Sequence, residues 1–155
     1  MSRTLSFKGT LAIGSPNEDR IRLRTLQGKV GYKIKKFQII STTPGDQDSE
    51  FVAKITKIPD PNIGPGVTFT DPDLLAVAYL KEGSGSNQNF NTMIIFDNEM
   101  FNQDVYVNIT DASTKTVPCN YYIEIETKPL SDIESTMLTL KNIRTVTSRQ
   151  TTTPP

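Results

Sequence analysis

N-Y-Y-I-E-I-E-T-K-P-L (Asn120–Leu130) decides the fold. Side chains along an extended chain point to alternate faces, so Tyr121, Ile123, Ile125 and Thr127 share one face, and Tyr122, Glu124, Glu126 and Lys128 the other. This apolar-in, polar-out period of two ends at Pro129, which has no amide to continue a ladder. It is the pattern of an antiparallel sheet with one face on a core and one in water.

Working outward, similar segments recur at short intervals. Thr4–Ile13 alternates through Leu5 and Phe7, with a shift expected at Gly9 before Leu11 and Ile13. Arg20–Leu26 sets Ile21 and Leu23 against Arg20, Arg22 and Arg24. Lys29–Thr42 moves its apolar set from Val30, Tyr32 and Ile34 to Phe37 and Ile39. A slip of one residue sends every later side chain to the opposite face, so a β-bulge is predicted at Lys35-Lys36. Further strands are expected at Glu50–Ile58, Val67–Thr70, Leu74–Lys81, Thr92–Phe96 (apolar enough to be central) and Asp104–Thr110. Between them lie loops rich in Gly, Pro, Asn and Asp, above all Pro59–Gly66 and Glu82–Asn91. About eight to nine short strands with regular turns predict an all-β protein, a single antiparallel β-sandwich of jelly-roll-like form spanning residues 1–147. Ser131-Asp132-Ile133-Glu134 fits a capping box. A helix from there to about Arg144 would group Ile133, Met137 and Leu140 but leave Leu138 off the stripe, and Thr136, Thr139, Thr145 and Thr147 favour extended chain; the expectation is one helical turn and then a last strand near Leu138–Val146, followed by a disordered tail at 148–155.

Composition narrows the chemistry. Lys+Arg and Asp+Glu both number 17 in 155 residues, so there is no excess positive charge of the kind that coats nucleic acid. The charge is uneven: up to Lys36 there are nine basic residues against Glu18 and Asp19. Arg20, Arg22, Arg24, Lys33 and Lys35 are expected to form a basic patch across neighbouring strands, suited to phosphates or to an acidic protein surface, with a plain solvated face as the alternative; without interleaved aromatics it is no base-stacking platform. With no histidine, Ser–His–Asp and Cys–His catalysis and most transition-metal sites are excluded. The single Cys119 allows no internal disulfide and reads as a small buried hydrophobe. No apolar run approaches the roughly 18 residues of a membrane span, and no apolar leader opens the chain, so synthesis in a reducing cytoplasm is expected.

Three constellations invite a site. Glu124 and Glu126 share one strand face at a separation that glycosidases use, but Lys128 beside them equally suits a solvated face. Asp71, Asp73, Asp97, Glu99, Asp104 and Asp111 fall at strand ends or turns and could group around Ca²⁺, though they lack the spacing of a calcium loop, and aspartate is a common turn residue. Asn108-Ile109-Thr110 matches a glycosylation sequon and is read as chance. A sugar-binding platform would draw on exposed tryptophan, of which there is none. The expectation is therefore no catalytic residue, no metal and no cofactor.

Several stretches also carry a resemblance. They are T-L-S-F-K-G (Thr4–Gly9), G-K-V-G-Y (Gly28–Tyr32), K-F-Q-I-I-S-T-T-P-G (Lys36–Gly45), F-N-Q-D-V-Y-V (Phe101–Val107), N-Y-Y-I-E (Asn120–Glu124), L-S-D-I-E-S-T (Leu130–Thr136) and L-T-L-K-N-I-R (Leu138–Arg144). Together they resemble a group of small, mostly uncharacterised marine bacteriophage proteins. The resemblance implies a virion component: a minor capsid, vertex or decoration protein, made in the host cytoplasm. It implies assembly with itself and with neighbouring capsid proteins, with no membrane or sequence-specific nucleic-acid partner. Two rival readings are a host-attachment or carbohydrate-binding module of a spike or fibre, and a carbohydrate-active sandwich using Glu124 and Glu126.

Overall fold

Asn120–Leu130 folds as its alternation requires. In the computed structural model, which describes residues 3–12, 18–23, 29–44, 48–60, 64–83, 90–96, 99–112 and 117–141, Tyr121, Ile123, Ile125 and Thr127 are buried while Tyr122, Glu124 and Glu126 face outward. Eight strands are described: β1 (Arg3–Leu11), β2 (Asp19–Ile21), β3 (Val30–Ser41), β4 (Ser49–Thr56), β5 (Leu74–Glu82), β6 (Phe90–Ile95), β7 (Val105–Asp111) and β8 (Cys119–Pro129). They form two antiparallel sheets, ordered β1-β8-β3 and β2-β7-β4-β5-β6.

The order has a simple origin. If the chain is folded in half between β4 and β5, the pairs β1/β8, β2/β7 and β4/β5 meet, and each is an antiparallel ladder here. The remaining pair, β3 and β6, approaches without a ladder: the Phe37 amide lies 3.2 Å from Met93 Sδ. This is jelly-roll winding with the sixth strand attached to β5. Phe37, Ile123 and Ile125 from one sheet and Phe51, Ile55, Val105, Val107 and Ile109 from the other fill the space between.

The bulge lies where the pattern places it: Ile34 pairs with Ile125 and Lys36 with Glu124, leaving Lys35 as the extra residue. No shift occurs at Gly9, because the β1–β8 register runs unbroken from Arg3↔Thr127 to Leu11↔Cys119. Gly9 is instead an inward position kept empty for a ring. A Cβ there would stand 2.5 Å from Tyr121 Oη and 2.7 Å from Cζ.

Three further expectations are corrected. Val67–Thr70 is no strand; it is exposed chain entering the turn closed by Asp71 N–H to the Thr68 carbonyl. β6 is an outermost strand and not a central one, with Phe90, Met93 and Ile94 exposed. Residues 132–141 form a helix, α1, where a single turn and then a strand were expected. The capping box starts it: Glu134 N–H donates to Ser131 Oγ at 3.2 Å, and Ser131 N–H to Glu134 Oε1 at 3.3 Å. Thr136 and Thr139 are accommodated by donating to carbonyls one turn back, at Asp132 and Ser135. The rest of the expected last strand, 142–146, and the tail at 148–155 lie outside the described residues.

Candidate functional site

The predicted basic patch is divided by the topology. Arg20 is on β2, in the five-stranded sheet, whereas Lys33 and Lys35 are on β3, in the other. Arg22 is exposed just beyond β2, and Arg24 lies outside the described residues. Nor are Arg20 and Lys35 uncompensated. Arg20 Nη2 is 2.5 Å from Asp104 Oδ2, and this carboxylate holds the guanidinium pKa up. Lys35 Nζ is 3.3 Å from Glu126, and Lys36 Nζ 3.9 Å from Glu124. Lys33 stands opposite Glu126 in the ladder. The bulge puts Lys35 and Lys36 both outside, so these two lysines of β3 meet the glutamates of β8 in an ion-paired wet face. Tyr122 Oη donates to Glu124 at 2.8 Å, making the two glutamates part of that face.

The aspartates are likewise engaged. Asp104 accepts from Arg20 and from the Leu23 amide. Asp111 accepts from Glu50 N–H, and Asp71 caps its own turn by accepting from Asp73 N–H. Glu99 bridges Lys57 and Lys141 at 3.1 and 3.2 Å. Burial works to raise the Glu99 carboxyl, but the two lysines, Lys57 foremost, outweigh it and leave it below the usual carboxylate range. Among the described residues no three metal-ligating side chains converge; Asp97 lies outside them. Asn108 is buried and donates to the Asp60 carbonyl at 3.0 Å, which is no place for a glycan.

Composition hid the most unusual polar group. β4 is buried on both faces, and Lys54, between Ala53 and Ile55, points away from the core. Asp60 and the stretch from Gly64 to Asp71 lie over that outer face. Lys54 Nζ donates to the Gly64 carbonyl at 2.8 Å and to that of Gly66. Lys54, Asp60, Gly64, Gly66, Thr68, Asp71 and Leu74 line a cavity of about 350 Å³. Burial lowers the Lys54 pKa, opposed by Asp71 and Asp60. The ammonium thus serves as an internal cation that fastens the loop. A signal was present: one lysine inside F-V-A-K-I, a run too apolar for a strand with a wet face.

The ammonium is charged in both folded and unfolded chains at neutral pH, so its desolvation opposes folding in full there. Because the folded pKa is the lower one, the folded state sheds its proton first as pH rises, and stability should increase between that pKa and the ordinary 10.5. Lys54→Met keeps the apolar stem and removes the charge, while the exposed loop carbonyls turn to water. It should leave the neutral-pH urea midpoint nearly unchanged and abolish the contribution of this group at alkaline pH. A large loss at pH 7 would mean that the ammonium–carbonyl bonds dominate.

Cys119 is fully buried against the Ile40 and Asn120 carbonyls, and burial first, then Glu82 and Asp111, push its thiol up to about 12. The reactive thiolate is therefore scarce at neutral pH. Native protein should resist a thiol reagent such as DTNB at pH 8 and react stoichiometrically in denaturant.

In comparison with known proteins, the chain matches no family model and no curated protein. Among the described residues no helix is long and apolar enough to cross a membrane.

Proposed function

We propose that this chain is a non-enzymatic structural component of a bacteriophage virion, a minor capsid, vertex or decoration protein that assembles with copies of itself and with neighbouring capsid proteins. The observation that supports it most is β6. Its sequence, F-N-T-M-I-I, forms an outermost strand with exposed Phe90, Met93 and Ile94. It carries no charge and no proline, the devices by which sheet edges ordinarily prevent pairing with other chains. A strand of this kind suits a protein that works inside an assembly, where a neighbour shields it. The polar groups fit the same reading, since the acids and bases described above satisfy one another instead of converging around a substrate.

Quantitative mass spectrometry of purified particles of the encoding virus tests the proposal. Tens to hundreds of copies per particle are expected, and the count separates a vertex from a decoration role. Absence from the particle would overturn it. A host-attachment or carbohydrate-binding module is the second reading, favoured by Phe69, which is more than half exposed and adjoins Thr68 at the cavity wall. A handful of copies per particle, with glycan binding lost in Phe69→Ala, would select it.

A further inference from the structure

α1 is attached to the sandwich by its polar side. Ser135 is buried, Asn102 Nδ2 donates to Thr139 Oγ1 at 3.2 Å, and Lys141 reaches Glu99, which also holds the buried Lys57. The opposite side carries Ile133, Met137 and Leu140, exposed at 74, 65 and 56%. An amphipathic helix normally turns such residues to the core. Their spacing of four and then three is that of consecutive core positions in a coiled-coil seam.

We propose that this outward face of α1 is a self-association surface, on which α1 of a second copy packs antiparallel about a two-fold axis near Met137. Charge selects both the occupant and the direction. Glu134 and Lys141 each follow a seam residue, Ile133 and Leu140. In an antiparallel pair, where Ile133 meets Leu140 of the other copy, each Glu134 is carried toward the Lys141 of its mate. A parallel pair would instead set Lys141 beside the uncharged Thr136. Lys141 can serve this contact as well as Glu99, because its side chain is half exposed. Opposed helix dipoles favour the same direction. Three apolar side chains per copy fall short of the roughly 800 Å² per partner of a stable independent complex. The pair is therefore weak in free solution and becomes effective where many copies are held together. This deepens the proposed assembly role, on which it rests for its setting.

Disulfide trapping in the full-length protein tests it. Met137→Cys should form a covalent dimer at high protein concentration much faster than Asp132→Cys, an exposed control off the seam. Mixed Ile133→Cys and Leu140→Cys proteins should cross-link to each other in preference to themselves. Preferential self-linking of each would overturn the antiparallel arrangement. Trapping of Met137→Cys no faster than the control would overturn the surface altogether. So would a Met137→Cys thiol protected from alkylation in a protein that sediments as a monomer at every concentration, because the chain's own remaining segment would then cover the stripe. Trapping that succeeds with a protein absent from particles would refute the virion role alone. Abundant copies in particles without trapping would refute the helix pairing alone.

Discussion

Phe37→Ala is expected to lower stability by roughly 3–5 kcal/mol, the usual range for removing a fully buried ring. A domain of this kind has only about 5–15 kcal/mol in all. The effect depends on the bulge just before it in β3. Ile34 pairs with Ile125 and Phe37 with Ile123, so three residues of β3 span what two steps of β8 span, and Lys35 is the surplus. Were the unchanged sequence paired in a regular ladder with no bulge, Phe37 would leave the core for water. The urea midpoint should fall with an unchanged m-value, since the same surface is exposed on unfolding. Deleting Lys35 is the matching experiment. It restores a regular ladder in which Ile34 and Phe37 still face inward and gives up an exposed ion pair with Glu126, worth at most about 1 kcal/mol. The deletion should therefore be much milder than Phe37→Ala. Equal losses would show that the bulge stabilises the sheet in its own right.

That bulge was legible because periodicity records which face a side chain takes, and a break in phase has few physical remedies. The same holds for the alternation of β8 and for the capping box of α1, both local patterns. Position within a sheet is not local. M-I-I in β6 is apolar enough for a central strand, yet strand order follows from the folding of the whole chain, and it left β6 outermost. Phe101 sits in a stretch that reads as a turn. It is nevertheless buried, because an isolated bridge exchanges hydrogen bonds with Tyr32 at 2.7 and 3.0 Å. In α1 the apolar stripe at 133, 137 and 140 argues for a helix only if it faces inward. The helix formed with that stripe outside and Leu138 half-buried, an orientation set by Asn102 and Glu99 from far along the chain. The basic residues are divided for a related reason: the expectation set β2 and β3 side by side, whereas they lie in different sheets, and the acids opposite the lysines emerge only from the register.

Asp104→Ala should destabilise by roughly 1–3 kcal/mol, the cost of stripping a buried amide of its acceptor. Asp104 is nearly buried at the start of β7, where Oδ1 accepts from the Leu23 amide at 2.7 Å and Oδ2 from Arg20 Nε at 2.7 Å. The Leu23 carbonyl in turn accepts from Tyr32 Oη at 2.5 Å, so one carboxylate links β2, the head of β7 and, through Tyr32, the opposite sheet. Asp104→Asn keeps an acceptor for Leu23 and should recover most of the loss. If both variants fell equally, charge and not the amide contact would be the larger part. The consequence reaches any test of the expected basic patch as an assembly surface. Reversing Arg20 would set a carboxylate beside Asp104 and unfasten β2, so failure to enter particles would follow from instability whatever the surface does. Arg22 and Lys33 are the residues of the expected patch to reverse instead, since no ion pair among the described residues ties them to the fold as Asp104 ties Arg20. Particles that incorporate an Arg22→Glu, Lys33→Glu protein at the normal copy number would remove the basic face from the assembly surface and leave β6 and α1 to supply it.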